Sequence, residues 1–110
     1  MDERKKTVTR KTSETDISIN IIIDGKGQAN VSSGIGFMDH MLTSFLVHGR
    51  FDGEIKAVGD IHVDYHHSVE DIGIVLGRAF KEALCNKKGI KRFGTSFVPM
   101  DESLVLASVD

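Results

Sequence analysis

Four isoleucines at alternate positions, Ile17, Ile19, Ile21 and Ile23, constrain the fold more than any other feature of this chain. A period of two is the signature of a strand that turns one face to a core. Asp24, Gly25 and Gly27 then supply turn chemistry, and Ala29 and Val31 continue as a short second strand, which predicts a hairpin. From Phe37 the period changes. Met38, Met41, Leu42, Phe45 and Leu46 recur at three- and four-residue intervals up to Gly49, the pattern of an amphipathic helix. Ile55 and Ala57, flanked by Glu54 and Lys56, return to alternation as a third strand that Gly59 and Asp60 end.

A second helix is expected from about Asp64 to Cys85, with Val69, Ile72, Leu76, Phe80 and Ala83 as its buried stripe and Asn86 to Gly89 as stop signals. Gly73 and Gly77 cost about 1 kcal/mol each relative to alanine, which predicts tight approach of another helix or of backbone. Beyond Gly94, Ser96 to Val98 and Leu104 to Val109 read as strands. Ser13-Glu14-Thr15 before the isoleucine strand resembles Asp101-Glu102-Ser103 before the last one, a weak internal repetition. The expected organisation is a first α/β repeat over residues 1–92, with residues 93–110 opening a second.

The chemistry concentrates in the middle. His40, His48, His62, His66 and His67 are all the histidines of the chain, and they share one short window. On a helix His66 and Glu70 lie one turn apart on one face, while His67 is rotated by roughly 100° from His66. Imidazole nitrogen and carboxylate oxygen at this spacing suit a divalent transition metal, and the cluster reads as two half-sites facing different ions. Helical phase turns His40 and His67 away from the core of their own domain. Outward ligands with no complete set in the chain predict interfacial metal sites, closed by a further repeat or another subunit.

A formal charge of −2, with 27% charged and 40% hydrophobic residues, is typical of a soluble globular protein and disfavours nucleic acid as the main partner. Basic clusters at Arg4 to Lys11 and Lys87 to Arg92 leave open a local site for an anionic group such as phosphate. Cys85 is the single cysteine, so an intramolecular disulfide and a multi-thiolate zinc site are excluded, and a reducing cytoplasm is expected. Met1 to Arg10 has no apolar leader, and no apolar run approaches the roughly 20 residues that span a bilayer.

Several motifs occur in order: Arg10-x-Thr12-x-Glu14-Thr15, Gly34-Ile35-Gly36-Phe37-Met38-Asp39-His40-Met41-Leu42, Gly59-Asp60, and Asp64-Tyr65-His66-His67-Ser68-Val69-Glu70-Asp71-Ile72-Gly73. Lys88-Gly89-Ile90-x-Arg92-Phe93-Gly94 and Val98-Pro99-Met100-Asp101-Glu102 extend the pattern along the chain. Together they closely resemble the imidazoleglycerol-phosphate dehydratases. The resemblance implies an α+β fold: a two-layer sandwich of a small, mostly antiparallel sheet with two helices on one face, one half of a duplicated two-repeat fold. It also implies a homo-oligomeric shell with two manganese ions per active site, shared between subunits, and dehydration of imidazole glycerol phosphate in histidine biosynthesis.

Carried over by position, the resemblance implies His40, His66, His67 and Glu70 as metal ligands. Glu14 would be the catalytic base, and Glu14, His40, Ser44, His48, His66 and Arg92 would line the substrate. Ser44 stands where a longer polar side chain such as glutamine is expected, and Gly53 where an apolar residue is usual. A second His-His-x-x-Glu is not present in these 110 residues.

Plainer roles stand beside these. His48 would interact with a helix C-terminus and Asp39 with a helix N-terminus. Asp71 would be solvated or orient a ligand imidazole. Glu14 would be an exposed carboxylate at a strand entry, Arg92 part of a solvated loop, and His62 a surface histidine. Two other functions fit the residues: a non-catalytic module that binds metal and associates, and a metal-dependent hydrolase using Glu70 or Asp71. The hydrolase gives Glu14 and the Arg92 segment no task.

Overall fold

The computed structural model describes residues 3–110; Met1 and Asp2 lie outside the described residues, so the reading of Met1 to Arg10 falls partly beyond them. The elements are β1 (Lys5–Lys11), β2 (Thr15–Ile22), β3 (Ala29–Ser32), α1 (Gly36–Gly49), β4 (Asp52–Gly59), α2 (His66–Leu84), β5 (Gly94–Met100) and β6 (Ser103–Val109). One sheet has the order β1-β2-β4-β3, antiparallel except for the β3–β4 pair, and β5 with β6 forms a separate two-stranded sheet.

The isoleucine alternation does what its period predicts. Ile17, Ile19 and Ile21 are fully buried beside Val8, Ile55 and Ala57, and Leu42, Leu46, Ile72, Val75, Ala79 and Ala83 close over them from the helices. Each buried valine, leucine or isoleucine here contributes about 1.5–3 kcal/mol, so this face carries much of the unit's cohesion. α2 covers β1 and β2 while α1 covers β3. Phe45, Phe51 and Phe80 join the two helices, with ring centroids 5.0 to 5.7 Å apart. This is the expected two-layer α+β sandwich.

The expected hairpin between the isoleucine strand and Ala29–Val31 does not form. β4 lies between them and β3 pairs with β4 in parallel, making β3–α1–β4 a crossover unit. The cause is at Asp52. Its Oδ1 accepts the backbone N–H groups of Lys26 and Gln28 at 2.8 and 2.9 Å, and Gly53 N donates to the Gln28 carbonyl. These bonds carry the chain across the start of β4. A Cβ at Gly25 would meet Asp52 N at 2.4 Å, so only glycine lets the crossing pass this close.

β1 was hidden in the basic run because Val8 is its one buried apolar residue; its lysines suit an edge strand. The stripe of α2 is rotated from the expected one. Ser68, Asp71, Ile72, Val75, Ala79 and Ala83 are buried, Leu76 and Phe80 are half-buried, and Val69 is exposed. Ser68 leads this face because α2 begins against the backbone of β4, where a Cβ on Gly59 would collide with the Ser68 hydroxyl. Gly73 and Gly77 have open space around them, so no close approach within this chain explains them.

Candidate functional site

The topology brings three chain segments to one end of the sheet. Thr15, at the start of β2, pairs with Gly59, at the end of β4. The Glu14 carbonyl accepts the Asp60 N–H at 3.1 Å, which ties the β1–β2 turn to the loop that launches α2. β3 runs parallel to β4 and so delivers the start of α1 to the same end. There a Cβ on Gly34 would sit 3.2 Å from Ile61, so the two helix-launching loops touch. Glu14, His40, His66, His67 and Glu70 therefore all belong to this end.

Asp60 organises the start of α2. Its carbonyl accepts the Val63 N–H at 2.8 Å, and its Oδ2 lies 2.7 Å from His67 Nδ1. A carboxylate only accepts, so Nδ1 carries the proton, and in the neutral ring Nε2 keeps its lone pair. This is the orientation used by a metal-ligating imidazole. The His67 pKa is raised above its ordinary value, first by the Asp60 hydrogen bond and then by the negative charges of Asp60, Glu14 and Asp71, against desolvation. The other oxygen, Asp60 Oδ1, is buried without a partner.

His66 Nε2 and Glu70 Oε2 meet at 3.0 Å on the exposed face of α2. The His66 and His67 rings have planes 61° apart and so face different directions. Among the described residues no three His, Cys, Asp or Glu side chains converge as a metal site. The donors fit half of one: His66 with Glu70, and His67 through Nε2 with Asp60 behind it. His40 is exposed on α1 and joins neither group.

The remaining candidates are spread out. Ser44 is half-buried and His48 is exposed in the last turn of α1. Eight residues of helix put His48 about 12 Å along the axis from His40, at the opposite end of the sheet. Arg92 lies outside the four-stranded sheet, where Nε donates to Asp110 Oδ1 at 2.8 Å and the guanidinium lies 5.1 Å from the centre of the Phe93 ring. Asp39 accepts the Ser33 N–H at 2.9 Å as well as its hydroxyl, and so secures the loop before α1. Asp71 neither is solvated nor orients an imidazole. It is buried, takes a 2.6 Å hydrogen bond from Thr15 Oγ1, and has Arg10 Nε at 3.8 Å.

Sequence reasoning missed Asp60, Thr12 and Thr15 as members of this site. Gly59-Asp60 was legible as a strand end and as one of the ordered motifs but with no role, because nothing local marks a carboxylate that serves an imidazole across a loop.

Fold and site together define a two-layer α+β unit that gathers nitrogen and carboxylate donors at one sheet end without closing a ligand set. Residues 33–110 match the sequence profile of imidazoleglycerol-phosphate dehydratase, and the chain belongs to that family. It is 59% identical over 108 residues to the imidazoleglycerol-phosphate dehydratase of Acetivibrio thermocellus, covering 98% of this chain and 55% of the relative. Identity to the Clostridium novyi enzyme is 57% over 110 residues, 100% of this chain and 56% of that one. The crystal structure of the Staphylococcus aureus dehydratase superposes with a TM-score of 0.80 at 36% identity, covering 94% of this chain and 56% of that one. The chain thus spans about half the length of the relatives it matches, consistent with one half of a duplicated fold. All three of these relatives are named as dehydratases.

Proposed function

We propose that this chain forms part of a metal-dependent imidazoleglycerol-phosphate dehydratase, a hydro-lyase of histidine biosynthesis acting in the cytoplasm. The observation that carries this reading is the gathering of Glu14, the Asp60–His67 pair and the His66–Glu70 pair at one end of the sheet. Family membership supports the substrate, imidazole glycerol phosphate, and the product, imidazole acetol phosphate.

The difficult step is removal of a proton from a carbon with no carbonyl beside it. In this reading the Glu14 carboxylate takes that proton. Electrons of the imidazole ring expel the hydroxyl on the carbon attached to it, which leaves as water once protonated, and the electron pair of the broken C–H bond forms the carbon–carbon double bond of the enol and restores the ring. The enol that remains becomes the ketone. Manganese, when bound to His40, His66, His67 and Glu70 together with donors from another surface, supplies a Lewis acid that favours the anionic ring. Asp60 fixes the tautomer of His67, and the two α2 donor groups would each contribute to holding an ion that orients the ring. Arg92, whose guanidinium already grips a carboxylate, has the fork that suits a phosphate. His48 and Ser44 line the substrate from α1 of another subunit in a homo-oligomeric shell.

Glu14→Gln in the full-length protein should lower kcat by at least about 100-fold while manganese-dependent assembly persists. Near-full turnover would remove the base assignment. A second reading, a metal-binding and assembling unit without turnover, is favoured by the incomplete donor set among the described residues. Mass measurement of the purified chain with and without manganese, followed by a dehydratase assay, separates the two. Assembly with turnover supports the enzyme and assembly alone the module, while loss of both excludes a working enzyme from these residues.

A further inference from the structure

The turn that carries Glu14 has an unequal supply of hydrogens. Thr12 Oγ1 accepts the backbone N–H groups of Glu14 and Thr15, each at 3.1 Å. Both lone pairs are then used, and the hydroxyl has one hydrogen to give. Two acceptors are within its reach: Glu14 Oε2 at 3.2 Å and Thr15 Oγ1 at 3.3 Å. Thr15 cannot reciprocate, because its own hydrogen is committed to the buried Asp71 Oδ2 at 2.6 Å. One hydrogen therefore serves two acceptors, and the direction of every other bond in this run of hydroxyls and carboxylates is fixed.

We infer that Thr12 is a positioning residue for the Glu14 base: its hydroxyl holds the Glu14 carboxylate before proton transfer and turns to Thr15 Oγ1 afterwards. A hydrogen bond to an ionised carboxylate is about twice as strong as one between neutral groups, so ionised Glu14 takes the hydrogen first. Once Glu14 has gained the substrate's proton that advantage is gone, and Thr15 Oγ1 receives the hydrogen instead. The turn keeps the same number of hydrogen bonds in both states. The relay ends on Asp71 of α2, one residue beyond Glu70 and four beyond His67. The base is thereby held in register with the helix that carries the candidate ligands. The inference rests on Glu14 acting as the base.

The test uses the full-length protein loaded with manganese. Thr12→Val keeps the shape and removes the hydroxyl, and should lower kcat about tenfold with KM changed by less than about twofold. Thr12→Ser should restore kcat to within about twofold of the parent. In a Glu14→Gln background Thr12→Val should change kcat by less than about twofold, because the group it positions is gone. Unchanged kcat in Thr12→Val, failure of serine to rescue, or independent multiplication of the two effects overturns the inference. Neutron diffraction of the unsubstituted protein needs no variant to fold. Deuterium on Thr12 aimed at Glu14 Oε2 supports the inference, and deuterium aimed at Thr15 in the resting protein overturns it. Near-full turnover of Glu14→Gln overturns the base assignment itself, whatever the position of that deuterium.

Discussion

Asp60 links three parts of the molecule through one residue: its N–H meets Glu14, its carbonyl starts the loop, and its carboxylate holds His67. Partners that fix a ligand imidazole are worth about 10–100-fold in metal affinity. Asp60→Ala is therefore expected to lose manganese by about that factor. Elemental analysis after dialysis against graded chelator measures it, and retention equal to the parent would show that Asp60 does not set His67 for a metal. Asp71 works through burial instead. Its removal leaves Thr15 Oγ1 without its buried acceptor and Arg10 without the carboxylate 3.8 Å away, and Asp71→Ala should cost about 1–3 kcal/mol in urea unfolding. The two carboxylates also mark the limit of what the sequence tells. His66, His67 and Glu70 are legible because helix geometry alone fixes their spacing. Thr15 and Asp71 lie 56 positions apart and meet only because β2 and α2 pack together, so no local pattern announces them.

The crossover of β3 depends on one short loop and its anchor. Backbone hydrogen bonds from Gln28 and Lys26 hold the Asp52 carboxyl below its ordinary value of 3.8. A depressed carboxylate contributes stability above its unfolded pKa and loses it as pH falls through the folded one. Asp52→Asn should thus be less stable than the parent at neutral pH, and the difference should close as pH falls below 3.8. Thermal melts across that range measure it. Gly53 explains itself at this level too: a Cβ there would lie 2.7 Å from Leu46 Cδ2, so α1 rests directly on the strand. Gly53→Val should cost about 1–3 kcal/mol by overpacking unless Leu46 moves aside. Alternation showed where strands lie but not which strand each would pair with, because a period of two carries no information about neighbours. Hydrophobic phase likewise placed Val69 inside, whereas the close contact of Gly59 with Ser68 turns the helix so that small and polar residues lead.

At the scale of the whole molecule, the four-stranded unit is closed on one face and the terminal hairpin is open on both. Phe97, Met100, Leu104 and Val109 are each at least 66% exposed, and β5 and β6 pack chiefly on one another. Apolar surface of this extent marks a contact region. Leu106→Ser should therefore reduce concentration-dependent association in light scattering while shifting unfolding of the four-stranded unit by less than about 0.5 kcal/mol. No helix among the described residues is long and apolar enough to cross a membrane. The central position of β4 bears on how the unit is made. Register pairs Ile19 with Ile55, 36 positions later (55 − 19), so the second neighbour of the isoleucine strand is synthesised long after the strand itself. Until β4 leaves the ribosome, the β1–β2 hairpin has an unfilled apolar edge, the kind of edge that templates pairing between chains. Refolding should accordingly be limited by insertion of β4, and Ile55→Val should slow it in stopped-flow measurements by most of what it costs in stability.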